Sequence, residues 1–153
     1  MKHLPLAKGL FALVDDEDFG RCAQFRWYVG RMGYGMRGAR KIDGSITTQS
    51  LSRFIMNAPD GTHVDHIDGN RLDNRKVNLR FCTNQQNGCN RGKNKNNKSG
   101  FKGVSWNENA SKWMATIRFN YKQIHLGYFT DVLDAASAYA SAAKKYHGEF
   151  ART

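Results

Sequence analysis

No apolar run in the 153 residues approaches the roughly 20 that a membrane-spanning helix requires, which argues against an integral membrane protein. The first apolar segment is short and runs straight into Asp15-Asp16-Glu17-Asp18, unlike a secretory signal. Cysteine is scarce. Cys22, Cys82 and Cys89 form an odd set with no C-x-x-C pair, so neither a disulfide framework nor a zinc knuckle is expected. Free thiols fit a reducing, cytoplasmic setting. Acidic residues are also few, 13 against 24 Lys and Arg, giving a net charge of +11. Between Asp73 and Glu108 there are none, while Arg75, Lys76, Arg80, Arg91, Lys93, Lys95, Lys98 and Lys102 are basic. Such an excess points to a polyanionic partner, with charge for solubility as the plain alternative. The length allows one ordinary domain or two small ones.

Residues 1–56 read as short strands closed by a helix. Leu4–Leu6, Leu10–Val14, Gln24–Val29 and Tyr34–Arg37 are strand candidates between acidic or glycine turns. Thr48–Met56 carries Leu51, Phe54 and Ile55 at helical spacing and stops at the turn signal Asn57-Ala58-Pro59-Asp60-Gly61. Arg21, Arg26, Arg31, Arg37, Arg40 and Lys41 are either phosphate contacts or a solvated face.

The stretch that looks like a site runs from Val64 to Asn87. The short β-prone run Thr62-His63-Val64 leads into Asp65-His66, then a loop of turn formers, Asp68 to Asn74. A second run, Asn78 to Cys82, passes through Thr83 as an N-cap into the helical start Asn84-Gln85-Gln86-Asn87. Strand, loop, strand and helix would gather Asp65, His66 and Asn87. That set offers a carboxylate and an amide oxygen to a hard cation, with an imidazole beside them. Taken singly, Asp65 reads as a surface carboxylate and His66 as a partly buried strand histidine.

These residues resemble the ββα-metal motif of the HNH endonucleases, in the branch typical of phage homing and free-standing enzymes. His66 matches the first H, Asn78 the central N and Asn87 the last position, where many members carry His. The segment ahead of the site, Leu51 to Met56, resembles the same family, with Ser52 where a His is frequent. The resemblance implies a metal-dependent endonuclease acting on double-stranded DNA. His66 would be the base, Asn78 a brace for the loop, and Asp65 and Asn87 the ligands of one Mg²⁺ or Mn²⁺ ion.

Asn90 to Lys98 has no apolar residue and reads as a basic linker that follows a DNA backbone. Beyond it, Gly103–Trp106, Lys112–Phe119 and Gln123–Leu126 read as three strands. Trp113, Ala115, Ile117 and Phe119 alternate with Met114, Thr116 and Arg118. A helix follows from Thr130-Asp131, with Val132, Ala136, Tyr139, Ala143 and Tyr146 on one face and Gly148 at its end.

This half resembles the APETALA-type (ethylene-response-factor) DNA-binding domain, through Gly100-Phe-Lys-Gly-Val104, Lys112-Trp113, Ile117-Arg118, Leu126-Gly-Tyr-Phe-Thr130 and the alanines of the helix. Ser105, His125 and Thr116 depart from the plant pattern, so the plant target sequence does not carry over.

The expected architecture is α+β. A small antiparallel sheet and the ββα-metal motif fill 1–89, with the motif over about 62–89; a linker spans 90–99, and a three-stranded sheet packed on one helix fills 100–153. Arg80, Arg91, Lys93, Lys95, Lys98, Lys102 and Arg118 are the expected DNA contacts. Two other readings compete: a DNA-binding regulator whose HNH portion is a relic, and a zinc-stabilised structural or RNA-binding module. Cys82, Cys89, His63 and His66 lack ligand spacing for the latter.

Overall fold

The computed structural model describes every residue except Ile42. The chain divides into two compact units, residues 1–83 and 84–153, each with its own apolar core.

In the first unit, strand β1 (Lys2–Pro5) pairs antiparallel with β2 (Phe11–Val14), and Leu4, Ala12 and Val14 turn inward. Helix α1 (Asp16–Ala23) follows at once. The acidic run expected to be a turn is its start: Asp16, Glu17 and Asp18 sit where the helix dipole favours negative charge. Cys22 is buried, and its carbonyl accepts a bond of 2.8 Å from the Trp27 indole. Asp15 does not cap α1 with its side chain. Its Oδ2 instead accepts from the Lys76 amide at 2.8 Å, tying the start of α1 to the chain just ahead of the last strand of the unit.

Strands β3 (Tyr28–Val29), β4 (Gly35–Arg40) and β5 (Ile46–Ser50) form a meander. The helix expected over Thr48–Met56 is shorter, α2 (Leu51–Ile55). The β-branched Ile46, Thr47 and Thr48 favour a strand, and Thr48 to Ser50 continue the ladder onto β4. Ser50 then caps α2, its Oγ accepting from the Arg53 amide. The strand expected over Gln24–Val29 shrinks to its last two residues, because Gln24 ends α1. Two arginines of this unit are internal fasteners. Arg21 bridges Asp18 to the Ile55 carbonyl and the Asn57 side chain, and Arg37 stacks 3.8 Å from the Phe25 ring centre while donating to Gln49. The unit closes with β6 (His63–His66) antiparallel to β7 (Leu79–Cys82).

The second unit opens with α3 (Asn84–Cys89). Strands β8 (Val104–Asn107), β9 (Lys112–Phe119) and β10 (Lys122–Phe129) form an antiparallel sheet with β9 central. Ala115 and Ile117 of β9 pack on α4 (Val132–His147), while Arg118 between them and Phe119 faces solvent. Strand β10 runs past the expected Leu126, because an irregularity between His125 and Gly127 lets pairing resume through Phe129. Asp131 caps α4 through a 2.7 Å bond from the Leu133 amide, and Gly148 ends it at φ 54. Before β8, Asn97 and Ser99 bond the Phe101 and Val104 carbonyls, which gives part of the apolar-free segment a fixed turn. No helix among the described residues is long and apolar enough to cross a membrane.

Candidate active site

The hairpin β6–β7 presents Asp65 opposite Arg80 and His66 opposite Leu79, and the loop 67–78 closes over its end. That loop is pinned by one side chain. Asn78 accepts from the Asp68 amide at 3.1 Å and donates to Asp68 Oδ1 at 2.8 Å and to the Asp73 carbonyl at 2.9 Å. Its own carbonyl accepts from the Ile67 amide. The turn from His66 to Gly69 is thereby fixed at both ends, with Gly69 at φ 76, a conformation glycine adopts without penalty. Leu13 of β2 bonds the Leu72 carbonyl and the Asn74 amide, so the loop also leans on the first sheet.

His66 is only 3% exposed. Its Nε2 lies 3.2 Å from Asn74 Oδ1, and Asn74 itself is buried, with its amide nitrogen toward the Arg71 carbonyl. An amide oxygen facing Nε2 places the proton there and leaves the lone pair on Nδ1. Burial pushes the His66 pKa below the ordinary histidine value, against the opposing pull of the Asn74 bond and of the Asp65, Asp68 and Asp73 charges. The imidazole is therefore neutral at neutral pH, the form that accepts a proton. The Tyr34 ring stands 5.7 Å from it, and the Arg71 guanidinium lies over that tyrosine.

Asp65 is buried, and its Oδ2 accepts from Arg80 Nε at 3.1 Å and Nη2 at 2.9 Å. Arg80 is itself only 12% exposed along its side chain, so its guanidinium is held at Asp65. Asp73, held by Arg75, keeps its carboxyl below the usual range. Asn87 lies on α3, in the second unit. Arg91, Lys93, Lys95, Lys98 and Arg118 are exposed there, and Lys102 is half-buried, its Nζ donating to the Cys89 carbonyl at 2.6 Å. Ser52 is buried, its hydroxyl 3.2 Å from that of Ser50.

Neither the Asn74 support of His66 nor the Arg80 grip on Asp65 is evident from the sequence reading. The first had a local signal, since Asn74 belongs to the polar Asp73-Asn74-Arg75 run that closes the loop. The second needed the β6–β7 register.

The family model for HNH endonucleases matches residues 57–89, which holds Asp65, His66, Asn78 and Asn87. Over nearly the whole chain, an HNH endonuclease of Acanthamoeba polyphaga mimivirus is 31% identical across 150 residues, covering 94% of this chain and 74% of its own. The chain belongs to the HNH endonucleases. A second relative, protein 3.8 of Escherichia phage T7, is 36% identical over 94 residues, 61% of this chain and 77% of its own. No solved structure matches the chain. HNH endonucleases are in general dependent on a divalent metal. Among the described residues no three His, Cys, Asp or Glu side chains gather to hold an ion. Within the first unit the donor that suits such an ion is the buried Asp65 carboxylate, a hard oxygen ligand of the kind Mg²⁺ or Mn²⁺ takes alongside water and phosphate.

Proposed function

We propose that this HNH enzyme is a metal-dependent, site-preferring DNA endonuclease of the phage nicking or homing kind, leaving 5′-phosphate and 3′-hydroxyl ends. The observation that carries the reading is the buried, neutral His66, fixed through Nε2 by Asn74 at the mouth of a loop that Asn78 pins. Hydrolysis of a phosphodiester needs a water deprotonated in line with the departing 3′ oxygen. His66 takes that proton on Nδ1, and burial holds its pKa low so that the ring is neutral. Asn78 acts through the loop, aiming the ring. Asp65 and Asn87 would hold the ion, which when bound neutralises charge on the phosphate and the leaving oxygen. Residues 100–153 would serve as an APETALA-type module that chooses the site, with Arg118 and Lys102 on the DNA and the basic segment 90–99 along its backbone.

A second reading, a DNA-binding regulator with a relic HNH portion, draws on the Arg80 guanidinium that already holds one oxygen of Asp65. Plasmid nicking separates the two. His66→Ala is expected to keep DNA affinity and lose Mg²⁺-dependent nicking. Asp65→Ala and Asn87→Ala should lose it through weaker metal occupancy, with partial recovery at raised Mg²⁺. Unchanged rates in all three variants would reject His66 as the base and Asp65 and Asn87 as the ligands, and a wild-type chain that never nicks would remove the enzymatic reading.

A further inference from the structure

A cavity of about 410 Å³ opens in the second unit, walled by α3, the β9–β10 turn and the end of α4. Arg91, Lys102 and Arg118 line it, and among the described residues no Asp or Glu does. None of the three cations is in an ion pair among the described residues. Lys102 bears the strain of this arrangement: burial, with the nearby Arg152 charge, pulls its pKa below the ordinary lysine value. An anion placed in the cavity would relieve that field. His147 also lines it, its Nε2 toward the Arg118 carbonyl at 2.9 Å and its Nδ1 buried with no hydrogen-bond partner among the described residues.

The turn at the cavity's edge is an independent observation. Phe119 pairs with Lys122, so Asn120 and Tyr121 form a two-residue hairpin loop, with φ 47 and 63. Such a loop calls for Asn-Gly. A bulky residue held left-handed at the glycine position costs stability, and strain of that kind gathers at binding sites. Tyr121 is 81% exposed, so no packing repays the strain within the fold. Gln85 of α3 donates to Asn120 at 2.8 Å and fixes the turn at the edge.

We propose that this cavity seats one unpaired nucleotide of a DNA strand, its phosphate held by Arg91, Lys102 and Arg118 and its base stacked on Tyr121. The volume lies in the range of small-ligand sites, and stacking on an exposed ring needs a base released from pairing. The inference rests on the chain acting on DNA.

The test uses the full chain without divalent metal, so that nothing is cut, and a labelled 12-nucleotide strand as single strand and as duplex. Tyr121→Gly is expected to weaken single-strand binding about tenfold. Its duplex affinity should stay within about twofold, since a paired base has no free face for the ring. Its Tm should rise, because glycine suits the turn, which separates lost stacking from lost folding. Arg118→Gln should weaken the single strand and lower the salt slope by about 0.7. Deoxyadenosine monophosphate alone should shift the His147 and Tyr121 ring signals in NMR, and deoxyadenosine much less. Tyr121→Gly binding the single strand as wild type does, an equal loss for duplex, or unmoved ring signals with the monophosphate would each overturn the proposal. A wild-type chain that gives these binding results but never nicks a plasmid would sink the nuclease chemistry and leave the cavity standing.

Discussion

His66 is kept uncharged by its surroundings, and that has a thermodynamic consequence. The unfolded chain takes up the histidine proton near 6.5, while the folded chain resists it until lower pH because the ring is buried. Between those two values the unfolded state binds more protons, so stability falls as pH drops below 6.5 and is flat above it. Urea midpoints of the metal-free protein on either side of that value should show the decline, and His66→Gln should flatten it; an equal slope in the variant would reject His66 as its source. Asn74 is the other decisive residue. Asn74→Ala should cost about tenfold in kcat with KM unchanged, as losses of supporting hydrogen bonds do. Asn74→Asp keeps an acceptor for Nε2 and adds a charge, so the His66 pKa measured by NMR should rise. A KM effect alone would mean that Asn74 serves DNA binding instead. Asp65, His66 and Asn78 stood out in the sequence by type and spacing, but the contact of Asn74 with His66 did not, since seven residues of loop lie between them and only the folded loop brings them together.

At the scale of elements, the β6–β7 hairpin depends on a buried ion pair. Arg80→Ala leaves the Asp65 charge without its guanidinium and should cost about 3 kcal/mol. Arg80→Lys keeps the charge but not the fork and should recover only part of it, read from denaturant midpoints. In the second unit, Gly103 at φ 72 lies under the Tyr139 ring, where an added Cβ would meet a ring carbon at 2.1 Å and the Thr116 carbonyl at 2.6 Å. Gly103→Ala should therefore destabilise this unit by about 2 kcal/mol or more. Strands β8 to β10 and helix α4 were readable in advance, because period-two alternation, the Asp131 cap and Gly148 are all local signals. Helix α1 was not. Its acidic first turn imitates a loop until Phe19 and Cys22 are packed against the sheet behind it.

For the molecule as a whole, two cores imply two folding units. A fragment of residues 84–153 should unfold cooperatively by itself and bind duplex DNA without cutting it. Failure to bind at low salt would reject the reading of this unit as the DNA-choosing module. With a net charge of +11, the full chain should lose about a thousandfold in affinity between low and physiological salt, through counterion release. A titration that stays flat would mean that the basic face is a matter of solubility.

By itself the sequence determined what depends on neighbours along the chain: the strand alternation, the helix caps, the excess of positive charge, and the motif that marks the HNH endonuclease family. Tertiary structure alone decided which groups meet, because those contacts cross long stretches of chain. Asp15 reaches Lys76 across 61 residues, Arg80 closes on Asp65 through strand register, and Arg91, Lys102 and Arg118 share one cavity only after the second unit has packed.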